Sequence, residues 1–184
     1  MKATNELKEE HQGIALMLRV LQALADKSGR AERIPAEHLD GILEFLSIFV
    51  DKCHHGKEEE FLFPALEVKG MRREGGPIGV LLTEHEEGRK LVAKLKTAAA
   101  RYTSGDKTAA AGFQSTISDY VTLLTQHIEK ENTVLFAMAD AKLDATKDKE
   151  LFEAFEQLER DRIGPGKHEE FHALLNLLEH EYLG

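Results

Sequence analysis

The chain has a single cysteine, Cys53, only four prolines and no tryptophan. One thiol excludes a disulfide framework and a thiolate metal cage. No run of 18 apolar residues occurs, so no membrane-spanning helix is expected. Basic residues are in deficit, with 24 Lys+Arg against 33 Asp+Glu and a formal net charge of −9. Nucleic acid rewards clustered positive charge and is therefore not an expected partner. The opening residues, Met1 to Glu6, carry no apolar signal region, which makes the cytoplasm the expected address. Strict polar/apolar alternation is missing as well, so strands are not expected. With 42% apolar residues the 184-residue chain has enough to build a core of one domain or two small ones. Histidine is what the chain has in excess, with nine in all.

Four segments carry apolar residues at steps of three and four. The first runs Leu7, His11, Ile14, Leu18, Leu21, Ala25, and the second Leu39, Leu43, Leu46, Val50, His54, Glu58, Phe61, Ala65. The third runs Ile78, Leu81, His85, Gly88, Val92, Leu95, Ala99, and the fourth Phe113, Ile117, Tyr120, Leu124, His127, Glu131, Leu135, Met138. Such stripes are the seams of helices in a bundle. Turn clusters at Lys27-Ser28-Gly29, Gly75-Gly76 and Ser104-Gly105-Asp106 separate them, so neighbours run antiparallel. Pro35, Pro77 and Pro165 sit where periodic segments begin, whereas Pro64 should end or bend its helix. Two shorter amphipathic segments, 147–161 and 165–183, follow. The predicted fold is all-α: an up-down-up-down four-helix bundle over residues 1–142, with two additional C-terminal helices in an extension, 143–184, packed on it.

Each seam contains a histidine, and two contain a glutamate one turn later: His54 with Glu58, and His127 with Glu131. Burying an imidazole or a carboxylate without a partner costs several kcal/mol. Six such groups aimed at one core call for a common compensation, and a metal site supplies it. The segment His54–Phe63 aligns with His127–Phe136 at an offset of 73, with five of ten positions identical, and Glu10-His11 aligns with Glu84-His85 at an offset of 74. Two helix hairpins related by a pseudo-twofold axis would each bring three donors. The expected site is therefore dinuclear: His11 and His54 on one metal, His85 and His127 on the other, Glu58 and Glu131 bridging. Nitrogen and oxygen donors without thiolate suit Fe, Mn or Zn, and carboxylate bridges favour redox-active iron over the other two.

The residues His11, His54-x-x-x-Glu58, His85, His127-x-x-x-Glu131 and the Leu62-Phe63-Pro64 and Leu135-Phe136 trailers resemble the hemerythrin-like, or HHE cation-binding, family in a four-His, two-Glu form. The resemblance covers residues 1–140 and extends to the tail around Gly164 to Glu169. It implies a non-haem centre of two Fe ions with ligands at the six positions named, and O2, NO or H2O2 as small ligands. Oxygen-carrying hemerythrins add a fifth histidine one turn after the third-helix histidine; Arg89 stands there in this chain. They also place the last carboxylate, an Asp, five residues after its histidine, whereas Glu131 is at four. These departures weaken a reversible oxygen-carrier reading and favour redox chemistry on O2, peroxide or NO, or sensing of oxygen or iron. An interaction domain that binds metal only for stability stands as the alternative, so enzymatic turnover is left open.

Other residues invite weaker readings. His55 and Glu59 also stand i, i+4, but the repeat selects His54 and Glu58 because residue 128 is Ile; His55 is left as surface, supporting or alternate ligand. His168-Glu-Glu-Phe-His172 matches the zinc-protease string H-E-x-x-H, but the chain offers no third ligand in pattern, and a solvated helix face is expected. The ferritin-type Glu-x-x-His occurs only at Glu169-x-x-His172. Tyr120 and Cys53 read as core, Lys57 and Lys130 as solvated. Glu10, Glu84 and Glu86 flank the histidines and either orient imidazole N–H groups or lie in solvent.

Overall fold

The computed structural model describes residues 1–30, 32–106 and 108–184. Among them every regular element is helical. Helix α1 is Lys2–Gly29. Helix α2 covers residues 36–68 without a break: α-helical over Ala36–Glu44, π-helical over Phe45–His55 and Glu58–Leu62, and α-helical again over Phe63–Val68. Helix α3 is Pro77–Thr103. Helix α4 covers residues 109–142, with a π segment at Glu131–Leu135 between Ala109–Lys130 and Phe136–Lys142. Helices α5, Ala145–Arg162, and α6, Lys167–Leu183, complete the chain. Among the described residues no helix is long and apolar enough to cross a membrane.

Two apolar clusters define the directions of the bundle. One holds Ala3 and Leu7 of α1, Leu62, Phe63 and Leu66 of α2, Ile78 and Leu81 of α3, and Leu135, Phe136 and Ala139 of α4. The other holds Ile14 to Ala25 of α1, Leu39 to Val50 of α2, Leu91 to Ala99 of α3, and Phe113 to Leu124 of α4. So α1 and α3 run from the first cluster to the second, and α2 and α4 run back. This is the up-down-up-down arrangement that short connections enforce. Helix α4 packs on both α1 and α3, and α2 closes the ring. The residues between the two clusters on each helix are His11, His54 with Glu58, His85, and His127 with Glu131. The polar layer thus sits where both cores stop.

Pro64 does not end its helix. The π segment Glu58–Leu62 immediately precedes it, and the chain stays helical to Val68. An i→i+5 pattern offers the carbonyl one turn before the proline a donor beyond the missing N–H, so the break that an α-helical ladder would suffer is avoided. Pro77 opens α3 as expected. Pro165 does not open α6; it lies in a turn between Gly164 (φ 82°) and Gly166 (φ 86°), and the helix begins at Lys167. Both glycines take the left-handed region, where a side chain would be strained.

The tail helices cover α1 and part of α2. Leu151 and Phe155 of α5 join the first cluster, and Phe171, Leu175 and Leu178 of α6 join the second. Asp148 accepts from the backbone N–H groups of Lys2 and Ala3 at 2.9 and 3.0 Å, so a residue of α5 caps the start of α1. At the far end Tyr182 meets His38 Nδ1 at 2.6 Å.

His168 of α6 is half-buried and its Nδ1 lies 2.6 Å from Glu159 of α5. That hydrogen bond, with Lys57 nearby, holds the Glu159 carboxyl down to about 2, and it raises His168 above its ordinary 6.5. A raised histidine stabilises the fold below its ordinary value and loses the contribution as pH rises through its folded value. The thermal midpoint of His168→Ala is therefore expected to fall below that of wild type by a few degrees near pH 6, for a partly exposed pair worth about 1 kcal/mol or less. The gap should close at alkaline pH. A gap independent of pH would show that packing, not the ion pair, holds α6.

Candidate metal centre

The six polar seam residues meet. One donor atom from each of His11, His54, Glu58 and Glu131 lies within 4.8 Å of the others, and the same holds for Glu58, His85, His127 and Glu131. All six residues are buried. The Nε2 atoms of His11 and His54 are 2.9 Å apart, and those of His85 and His127 are 3.1 Å apart. Glu131 stands 3.2 Å from the Nε2 of both His11 and His127. Glu58 stands 3.8 Å from His54 Nε2 and 3.5 Å from His85 Nε2. Each carboxylate is thus shared between an imidazole pair on one side and an imidazole pair on the other.

The outward nitrogens define the tautomers. His11 Nδ1 donates to Asn132 at 2.9 Å, His54 Nδ1 to Glu10 at 2.8 Å, His85 Nδ1 to Glu59 at 2.7 Å, and His127 Nδ1 to Glu84 at 2.9 Å. A proton held at Nδ1 leaves each Nε2 of a neutral ring with its lone pair facing inward. All four oxygens of Glu58 and Glu131 are buried without a hydrogen-bond donor. Facing ring nitrogens and carboxylate oxygens without donors, deep in a core, fit cations placed between them. Electrostatics agree. Burial opposes charge at both groups, yet nearby histidines hold the Glu131 carboxyl down to about 2, while Glu58 and Glu59 lift His85 to about 9. The cluster draws in positive charge.

The supporting shell follows the internal repeat. Glu10, beside His11, serves His54; Glu84, beside His85, serves His127. Glu59, beside Glu58, serves His85; Asn132, beside Glu131, serves His11. Each hairpin braces the histidine of its own second helix from its first, and Asn132 reaches across to α1. Sequence reasoning left Glu10 and Glu84 open and missed the roles of Glu59 and Asn132. The 73-residue offset maps 59 onto 132, and that was the available signal. Glu86 is exposed and pairs with Arg89 instead.

Lys57 corrects the expectation of a solvated side chain. It is completely buried and donates to Glu6, Glu10 and, at 3.3 Å, Glu159. Burial works against its charge, but Glu10 and Glu6 outweigh that and raise its pKa. Lys130, its repeat mate, donates to Glu84 and remains partly exposed. Cys53 is buried, and burial pushes its thiol up to about 12, which makes it inert. Tyr120 is buried in the core. His168 and His172 stack on each other on α6 and are not part of the six-residue cluster. His55 is buried and faces inward, so it is not a surface residue.

Fold and site together define a class: a four-helix bundle whose mid-height layer of imidazoles and carboxylates is built to receive metal. Residues 2–139 match the hemerythrin HHE cation binding domain, and the chain belongs to that family. It is 25% identical over 162 residues to uncharacterized proteins of Mycobacterium bovis and Mycobacterium tuberculosis, covering 88% of this chain and 63% of theirs. It is 31% identical over 127 residues to the iron-sulfur cluster repair protein YtfE of Salmonella newport, covering 65% of this chain and 57% of that protein. The chain thus spans less than two thirds of the length of these relatives. No solved structure matches it significantly.

Proposed function

We propose that the chain holds a carboxylate-bridged di-iron centre and uses it in redox chemistry on, or sensing of, O2, peroxide or NO. His11 and His54 bind one iron, His85 and His127 the other, and Glu58 and Glu131 bridge them. The observation that carries this reading is the sharing of both orphaned carboxylates between two imidazole pairs. The donor set is nitrogen and oxygen only, which suits iron ahead of thiophilic metals. The name of the Salmonella relative, an iron-sulfur cluster repair protein, supports iron over manganese or zinc.

Bound iron would supply reversible one-electron changes and coordination of a small ligand. The chain's own residues do the rest. Glu10, Glu59, Glu84 and Asn132 hold the proton of each imidazole at Nδ1 and aim Nε2 inward. The apolar clusters above and below, closed by Phe63 and Phe136 beside His85 and His11, limit water at the site. Buried surroundings of this kind protect a reactive centre from side reactions.

Metal analysis of protein from iron-replete medium should find about two irons per chain. Consumption of peroxide or NO in excess of the iron present would make the protein an enzyme; stoichiometric uptake with a reversible spectrum would make it a sensor or store. One zinc, or no metal, would remove the reading in favour of a structural module. A supporting residue should matter too. Asn132→Leu removes the acceptor for His11 Nδ1 without touching a donor, and is expected to weaken iron affinity about 10- to 100-fold in chelator competition. Unchanged affinity would show that the His11 ring needs no such brace.

A further inference from the structure

His55 is the one buried histidine near the centre that the six-residue frame leaves unused. Both of its ring nitrogens are buried without a hydrogen-bond partner, and the residue is 4% exposed. Its nearest carboxylate oxygen, on Asp51, lies 3.6 Å from Nδ1, and Asp51 is taken by Arg89 at 2.7 Å. A buried imidazole with neither nitrogen satisfied costs free energy that a surface or packing role does not return.

Its neighbours say where the compensation lies. The His55 ring stacks on His85 with centroids 3.8 Å apart and planes 15° apart, and it meets His127 edge-on at 5.7 Å. One ring nitrogen from each of His55, His85 and His127 lies within 4.8 Å of the other two. Imidazole nitrogens about 2.1 Å from one ion stand at most about 4.2 Å apart, so the three must draw together, and the His55 ring must turn out of its stack on His85 to aim a lone pair at the same ion.

The backbone explains how two consecutive residues both reach the interior. On a regular α-helix, residues 54 and 55 point about 100° apart. Here they close the long π segment Phe45–His55, whose wider turn changes that spacing. The repeat mate of His55 is Ile128, within the regular α-helical part of α4. The two halves of the site are therefore unequal at this position and alike at the six others.

We propose that His55 is a fifth imidazole ligand, on the metal held by His85 and His127; this rests on the dinuclear reading above. That metal then has three imidazoles and the His11/His54 metal two, so an exogenous small ligand takes the more open His11/His54 side.

The test is proton NMR of the di-ferrous protein labelled with 15N-histidine. Each ligating imidazole contributes one hyperfine-shifted, exchangeable N–H resonance. Wild type should show five, and His55→Phe, which keeps a ring to stack on His85, should show four with two irons retained. Four in wild type with two irons per chain would overturn the fifth ligand and leave the dinuclear reading intact. Five in both proteins would also overturn it, by assigning the fifth signal elsewhere. Absence of shifted resonances with less than one iron per chain would overturn both. The wild-type count requires no variant, so a His55→Phe protein that failed to fold would not rescue the proposal.

Discussion

Glu58→Leu is expected to abolish binding at both of the proposed iron positions, yet to leave the metal-free protein melting no lower than metal-free wild type. The two effects have one cause. Both oxygens of Glu58 are buried and receive no hydrogen bond. In the absence of metal its nearest counter-charge is the His85 imidazole 3.5 Å away, which gives up its proton once the carboxylate is gone, and replacing a buried ion pair by apolar volume is often neutral or better. With metal the same oxygens become ligands. Iron at 100 times its dissociation constant adds about 2.7 kcal/mol through linkage, or roughly 5–11 °C for a chain of this size. Wild type should show that gain on loading and lose it to a chelator; Glu58→Leu should show neither. Calorimetry with and without Fe(II) reads both. A metal-free variant that melts well below metal-free wild type would mean that Glu58 is structurally satisfied without metal, which would sink the metal-centre reading of the cluster.

Lys57→Met should be the most damaging substitution outside the six-residue cluster. The ammonium bonds Glu6, Glu10 and Glu159 together, and it is fully buried. Removing one partner of a buried ionic group leaves the rest uncompensated, at about 3–5 kcal/mol. That corresponds to a fall of roughly 6–20 °C in thermal midpoint. Glu10 would also lose its anchor, and with it the hold on His54 Nδ1, so iron affinity should fall in the same variant. Lys130→Met supplies the control. It occupies the matching repeat position, but it is 41% exposed, and loss of a surface pair costs about 1 kcal/mol or less. Equal destabilisation by the two substitutions would show that burial under the tail is not what makes Lys57 matter.

That contrast marks what pattern alone conveys. The stripes of α1 to α4, their antiparallel order and the repeat that pairs His54/Glu58 with His127/Glu131 are visible in residue spacing, because helical periodicity is local and a duplication copies it. Pro64 was read as an end or a bend for the same reason: its local meaning is to interrupt an α-helix, and the π segment that carries the helix past it is not written in any composition rule. The inward placement of His55 was left open alongside it, since a strict 3.6-residue reading gives the seam to His54 and sends its neighbour elsewhere.

By itself the sequence determined an all-helical bundle of four stripes and the presence of six polar groups at core positions, since apolar period and the cost of burying charge need no partner to be read. Only the tertiary structure decided which atoms face one another. It alone joined Glu10 to His54, Glu84 to His127, Glu59 to His85 and Asn132 to His11, and it alone laid α5 over Lys57. Those contacts link helices whose residues are far apart in the chain, and their geometry depends on crossing angle, π-helical widening and the docking of the tail, none of which is encoded in spacing along a single helix.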